Sequence, residues 1–317
     1  MTDTSQAFFA LTQAPFTKEV ADGDLWLPPS KQALVDELVE ALHGRHSALL
    51  VGEPGVGKTC VLRALRQRLP KDRFCLTSCH NATLGRRDFY RQLCVALGLS
   101  PKATAAAIFY AVTAQVQELA AARVHPVFLL DAAQLLHADV LAHLHILLNY
   151  EWDSRALLSL VLIGLPELED RLALSTHKSL LTRLQTRLRI EPVHPTDSAD
   201  YLRHRLKLAG CERELFPQDA VALLHAASQG APRELDRMAR CACARRRAAS
   251  SSTRRRCAPS SSATRQRPRS RPQTASCHAE GMPARRPGLS ISETGELLPL
   301  RNSLNQPAHE PINQLAR

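Results

Sequence analysis

The stretch Gly52-Glu53-Pro54-Gly55-Val56-Gly57-Lys58-Thr59 sets glycine, lysine and a hydroxyl residue at every fixed position of the pattern G-x-x-x-x-G-K-[ST]. Residues of these types at this spacing do phosphate chemistry. Gly55 and Gly57 let backbone N–H groups turn toward a polyphosphate, Lys58 meets its outer oxygens, and the Thr59 hydroxyl ligates Mg²⁺. A second group of chemical interest closes the apolar run Val127-Phe128-Leu129-Leu130-Asp131. This is the form of a buried strand that delivers an acid to its C-terminal edge, where open α/β sheets bind their ligands. Beside a phosphate loop, Asp131 would hold the magnesium water shell.

These side chains work together only if strands and helices bring them to one edge. Ser47–Val51, before the loop, is a short apolar run suited to a covered parallel strand. After the loop, Val61, Leu62, Leu65 and Leu69 recur at helical spacing among Arg63, Arg66, Gln67 and Arg68, and the start of that helix adds its partial positive charge. Ser30 reads as the N-cap of a helix containing Leu34, Val35, Leu38, Val39 and Leu42. Further along come a strand at Phe74–Ser78, helical patterns around Phe89–Leu97 and Ala103–Ala121, and the Asp131 strand. A helix over Leu135–Tyr150 and strands at Leu157–Ile163 and Arg187–Ile190 complete the alternation. It predicts an α/β fold with a parallel sheet flanked by helices.

From Thr196 the pattern is helical only, over Thr196–Leu208, Pro217–Ala227 and a segment starting near Pro232, which predicts a small helical domain. Residues 8–29 place Phe8, Phe9, Phe16 and Trp26 among prolines and read as an extended arm packed by its aromatics, placed to close over a base-binding pocket. The expected organisation is therefore an arm over 1–29, a nucleotide-binding core over 30–194, a helical lid over 195–240 and an Arg/Ser/Pro-rich tail over 241–317.

Arginines form the next set. Arg183, Arg187 and Arg189 crowd the last strand, either as a solvated face or as the source of an arginine finger for a neighbouring subunit, with Arg187 or Arg183 favoured. Arg233 follows Gly230-Ala231-Pro232 in the first turn of the last helix, positioned to reach back toward a nucleotide. His137, His143 and His145 imitate metal-ligand spacing without a convergent carboxylate and read as a solvated helix face. Cys75, Cys79 and His80 lack a second ligand pair and read as strand-end thiols.

The formal charge of +11 suggests a nucleic-acid partner until it is located. Residues 241–317 carry 14 arginines against four glutamates, which leaves residues 1–240 with 27 basic and 26 acidic side chains. So balanced a folded part argues against a large phosphate footprint unless its bases cluster on one face. The nine cysteines form no even framework, and the five in the folded part, Cys60, Cys75, Cys79, Cys94 and Cys211, read as reduced thiols. The first residues lack a signal-peptide pattern, and the longest apolar window, Ala156–Leu165, is too short to cross a bilayer. No transmembrane segment and a cytoplasmic location are expected.

The order of these motifs resembles the AAA+ ATPases, and within them the ORC1/DEAH type with its ExeA-like secretion and TniB-like transposition members. The resemblance covers residues 8–240. It rests on Phe9-Ala10-Leu11-Thr12-Gln13-Ala14-Pro15-Phe16, the phosphate loop, the Asp131 strand, Ile163-Gly164-Leu165-Pro166-Glu167-Leu168, Arg183–Arg189 and Gly230-Ala231-Pro232-Arg233. It implies a P-loop AAA+ core with a C-terminal helical lid, ATP and Mg²⁺ as cofactors, and homo-oligomers with nucleotide at subunit interfaces. By position, Gly52, Glu53, Pro54, Gly55, Val56, Gly57, Lys58, Thr59 and Cys60 would hold the nucleotide. Thr59 and Asp131 would bind the metal, Lys58, Asp131 and the finger Arg187 would serve catalysis, and Arg233 would be sensor 2. The implied function is an ATP-dependent transposition regulator that oligomerises, binds double-stranded DNA and recruits a transposase. A secretion-type ATPase and a nucleotide-binding switch or remnant are the alternatives.

Two features depart from the family pattern. Where the family has Asp-Glu-Ala-His, this chain has Asp131-Ala132-Ala133-Gln134, so the glutamate that polarises the attacking water is missing. Unless another carboxylate substitutes, nucleotide binds while hydrolysis is slowed by about 10²–10⁴-fold. Beyond Arg240, arginine and serine runs without a single lysine replace the apolar periodicity. They read either as a nucleic-acid arm or as the translation of a shifted frame.

Overall fold

Ser47–Val51 (β1), His125–Leu130 (β3) and Ser159–Gly164 (β4) are buried along their whole length, as strands covered by helices on both faces must be. The computed structural model describes residues 9, 11–79, 84–101, 104–150 and 154–256. Phe74–Cys79 (β2) and Leu184–Arg189 (β5) complete a parallel five-stranded sheet in the order β2-β3-β4-β1-β5. β4 thus separates β1 from β3, with Val51 level with Gly164 and Leu130 level with Leu162. The phosphate loop after β1 and Asp131 after β3 therefore open on the same edge.

The period of two along each strand sends its side chains into two separate apolar layers. Leu49, Val51, Phe128, Leu130, Leu160 and Leu162 face Arg86–Ala96 (α3), Ala105–Ala121 (α4) and Ala138–Leu147 (α5). Ala48, Leu50, Val127, Leu129, Val161 and Ile163 face Pro29–His43 (α1) and Lys58–Arg68 (α2). β4 leads through Leu165-Pro166 into Glu167–Ala173 (α6), and the short Lys178–Leu181 (α7) precedes β5. On β5 buried Leu184 and Leu188 alternate with exposed Gln185, Arg187 and Arg189, the pattern of an edge strand.

Pro195–Leu208 (α8), Gln218–Ser228 (α9) and Pro232–Arg256 (α10) gather around a third apolar cluster where the helical lid is expected. Its core takes in the arm: Phe9 and Phe16 are buried with Tyr201, Leu202, Phe216 and Leu235. The Thr12 N–H and hydroxyl both donate to the Ala209 carbonyl, and Gln13 Nε2 donates to that of Leu208 at 2.8 Å. The expected aromatic packing of the arm is thus directed at the helical lid. Phe16→Ala removes a ring that is 1% exposed and 6.2 Å from Phe216. It should cost about 3–5 kcal/mol in urea unfolding, read through the intrinsic fluorescence of Trp26 on Tyr201.

Several boundaries differ from expectation. α1 begins at Pro29, with Pro28 as its capping residue and no side-chain cap, so Ser30 lies in the first turn. A proline there is already set to the helical φ and needs no donor. The helix expected over Leu135–Tyr150 is a 3₁₀ turn, Ala133–Leu135, followed by α5, whose first turn is capped by His137 Nδ1 accepting from the Asp139 N–H. His143 departs from the solvated face: its Nδ1 meets the Tyr90 hydroxyl at 2.7 Å beside the Phe109 ring. Burial holds the His143 pKa below its usual value.

The last helix does not stop at Arg240 but runs to Arg256. Leu235, Ala239 and Cys243, one turn apart, are buried in the lid, and Arg246 donates to the Leu215 carbonyl at 2.7 Å. Alanine and arginine are strong helix formers, so a run without bulky apolar residues continues the helix as long as its inner stripe is packed. The tail beyond Arg256 and His80 lie outside the described residues. Cys75 and Cys79 are free thiols on β2, and burial pushes Cys79 up to about 11. Among the described residues no cluster of His, Cys, Asp and Glu gathers to hold a metal, and no helix is long and apolar enough to cross a membrane.

Candidate nucleotide site

The loop between β1 and α2 turns back on itself through Gly55 and Gly57, at φ 83° and 106°. Both are left-handed conformations that a side chain would strain. The turn sets consecutive N–H groups at the start of an 11-residue helix, a cradle for anionic oxygens. Lys58 opens that helix, and its Nζ donates to the carbonyls of Gly52 at 2.6 Å and Glu53 at 2.9 Å. Partial burial holds the Lys58 pKa below its ordinary value, and Arg233 pushes the same way. Asp131, Glu53 and Glu167 pull it back up. A desolvated ammonium among fixed carbonyls gains strongly from a polyphosphate.

Asp131 directly follows β3, and its Oδ1 accepts from the Ala132 N–H at 2.8 Å. Its charge reaches Lys58, so acid and lysine share one edge. Thr59 and Cys60 continue the first turn of α2, Thr59 exposed and Cys60 half-buried. A glycine-turned loop at a helix start, an ammonium, a hydroxyl and a strand-end carboxylate is the donor set that Mg²⁺-bound ATP requires.

Ala132, at the position of the missing glutamate, has φ 59° and packs beside the apolar layer around Phe128 and Leu130. Gln134 joins two strand ends. Its Oε1 accepts from the Leu165 N–H at 3.2 Å, and its carbonyl accepts from Arg171, which also donates to Leu136.

Arg233 comes from the start of α10 and lies against the loop. Its N–H donates to the Gly55 carbonyl at 3.3 Å, and a Cβ at residue 55 would stand 3.1 Å from that of Arg233. Gly55 therefore serves both the turn and the docking of the lid. Arg187, by contrast, is engaged within its own chain. Its guanidinium donates to the carbonyls of Leu181 at 2.9 Å and Leu184 at 3.3 Å on the sheet edge. Arg183 donates to the Ser179 carbonyl at 3.0 Å, and Arg189 pairs with Glu169.

Two residues at the site carry no role in the sequence pattern. Lys31 is 3% exposed, and its Nζ donates to the Val56 carbonyl at 2.5 Å. Its signal was its place one turn before Val35 on the apolar stripe Val35, Leu38 and Leu42, where a lysine is out of character. Glu167, first in α6, is a carboxylate whose charge is felt at Lys58. The arm borders this region as well. Asp22 bridges Arg66 and Arg63, which hold its carboxyl below the usual range, and Trp26 meets Tyr201 at 5.4 Å.

Residues 32–172 match the AAA domain family. Over 229 residues, 71% of this chain, the sequence is 33% identical to General secretion pathway protein A of Aeromonas hydrophila, and it spans 42% of that protein's length. Among solved structures, Cdc6p from Pyrobaculum aerophilum superposes with a TM-score of 0.54 at 20% identity, covering 68% of this chain and 63% of that one. The Aeropyrum pernix ORC1 protein, solved in complex with DNA, gives 0.53 at 20% identity over 70% of this chain and 62% of that one. The Aeropyrum pernix ORC2 protein, solved as ADPNP-ADP complexes, gives 0.55 at 14% identity over 74% and 67%. At these identities the three structures speak for the fold.

Proposed function

The chain carries an AAA domain of the P-loop class over residues 32–172, and from that premise we propose that it is an ATP-binding regulator of DNA transposition, one that self-assembles when loaded and then engages duplex DNA and a transposase. The observation that carries the nucleotide part is the meeting of Lys58, Asp131 and Arg233 around one loop. The N–H groups of Gly55, Gly57, Lys58 and Thr59 and the Lys58 ammonium bind the phosphates, with Cys60 closing the first turn of α2 behind them. Thr59 and Asp131 hold Mg²⁺, which when bound neutralises charge on the outer phosphate oxygens. Arg233 reaches the terminal phosphate from the lid, so its grip distinguishes ATP from ADP and fixes the lid against the core. Arg187 acts on a neighbouring subunit's nucleotide after leaving the Leu181 and Leu184 carbonyls. With Ala132 in place of glutamate, the loaded state is long-lived, which suits a switch better than a motor.

The match to General secretion pathway protein A supports a second reading, an ATPase module of a secretion complex. Both readings place the nucleotide site on the cytoplasmic side, where ATP is. One experiment tests the first: retention of duplex DNA on a filter by the full chain, with Mg·ATP or Mg·ADP, at rising salt. ATP-stimulated, salt-sensitive retention is expected. In Arg233→Ala, loss of one charge-assisted contact of about 1.5–3 kcal/mol should weaken ATP roughly 10- to 100-fold, leave ADP unchanged and remove the stimulation. Retention that ignores nucleotide would abandon the DNA role and leave the secretion reading.

A further inference from the structure

If the N–H groups of the phosphate loop are to face a ligand, the carbonyl of Val56, at its centre, must face away from it. A carbonyl turned into the protein needs a donor. Here the donor is the Lys31 ammonium, 2.5 Å from the Val56 oxygen. A Cβ on Gly57 would lie 3.5 Å from the same nitrogen, so the amine presses on the back of the loop at two successive residues. The titratable groups that face it are the Cys60 thiol on α2 and the Asp197 carboxyl in the first turn of α8. A lysine is rarely buried to this extent without a close carboxylate, and an apolar side chain would continue the α1 stripe at lower desolvation cost.

We propose that Lys31 is a positioning residue for the nucleotide: its ammonium holds the Val56 carbonyl turned into the protein, leaves the N–H groups of the loop free to face the ligand, and adds buried positive charge behind the phosphates. This rests on the ATP-binding reading above. A charged donor makes the stronger hydrogen bond, so the hold weakens when Lys31 loses its proton. Burial brings that event down to about 8. Two opposite slopes follow. ATP favours the ammonium, so affinity falls as pH rises through about 8. Without nucleotide, the folded chain gives up this proton at about 8 while the unfolded chain keeps it until 10.5, so stability from this group rises between those values.

The test uses the full chain, with Mg·ATP titrated calorimetrically from about pH 6.5 to about pH 9.5 and melting of the nucleotide-free protein followed over the alkaline range. Lys31→Met and Lys31→Gln accompany the wild type. At neutral pH, Lys31→Met should bind ATP roughly tenfold more weakly, and Lys31→Gln, which keeps a neutral donor, should lie between the two. The wild-type advantage should shrink above pH 8. From about pH 8 upward the melting temperature of the wild type should gain on those of both variants. Equal ATP affinity in all three, with the melting difference intact, would overturn the positioning role alone. A wild type that binds no ATP at any pH would overturn the nucleotide reading and this proposal with it.

Discussion

Lys58→Ala should bind Mg·ATP at least about a hundredfold more weakly than the wild type, a loss of roughly 3 kcal/mol, with its melting temperature without nucleotide nearly unchanged. The two effects separate because of where the ammonium sits. In the free protein it bonds the carbonyls of Gly52 and Glu53, at the open mouth of the loop, where water replaces it after truncation. Partial burial already works against its charge, so removing that charge relieves a desolvation cost in the empty site. In the loaded site the same charge meets phosphate oxygens that no other side chain of the loop neutralises. Calorimetric titration measures the affinity, and the melting curve guards against misfolding. Affinity within a few-fold of the wild type would remove the loop from the nucleotide site altogether.

The residues of that loop were legible because their chemistry depends on local backbone. Glycine at 55 and 57, a lysine at 58 and a hydroxyl at 59 need only a preceding strand and a following helix, and both show in the hydrophobic spacing. Asp131 was legible for the same reason, being the polar end of an apolar strand. Contacts made across the fold left weaker traces. That Arg233 rests on Gly55 follows from a lid folding back onto the core, which a run of helical periodicity does not state. Lys31 left one mark, a cation one turn before an apolar stripe, and only the packing of α1 behind the loop gives it meaning. The end of α10 was misplaced because small residues carry little hydrophobic periodicity. Cys243 seals the lid with a side chain that looks like part of the tail.

Ala132 lies between these cases. Its identity shows that the glutamate is missing, but its φ of 59° and its packing beside the apolar layer belong to the folded chain. Glutamate at this position has the same Cβ as alanine, so the left-handed backbone adds little strain to the substitution. What it adds is a carboxylate on the edge that already holds Asp131 and Lys58.

Ala132→Glu should therefore raise steady-state ATP turnover by about 10²–10⁴-fold while leaving ATP affinity within a few-fold, as expected when a positioned base is restored. The competing source of a base is Glu167, whose charge also reaches Lys58 from the start of α6. Glu167→Gln separates the two. If the wild type turns over slowly, Ala132→Glu accelerates it and Glu167→Gln changes little, the missing glutamate is what limits hydrolysis. If instead the wild type turns over robustly, Lys58→Ala abolishes that rate and Glu167→Gln lowers it by orders of magnitude, then Glu167 serves as the base and the slow-switch reading falls. A protein that is slow with Ala132 and fast with glutamate is built to persist in its loaded form, and the lifetime of its ATP-bound assembly should then shorten in Ala132→Glu.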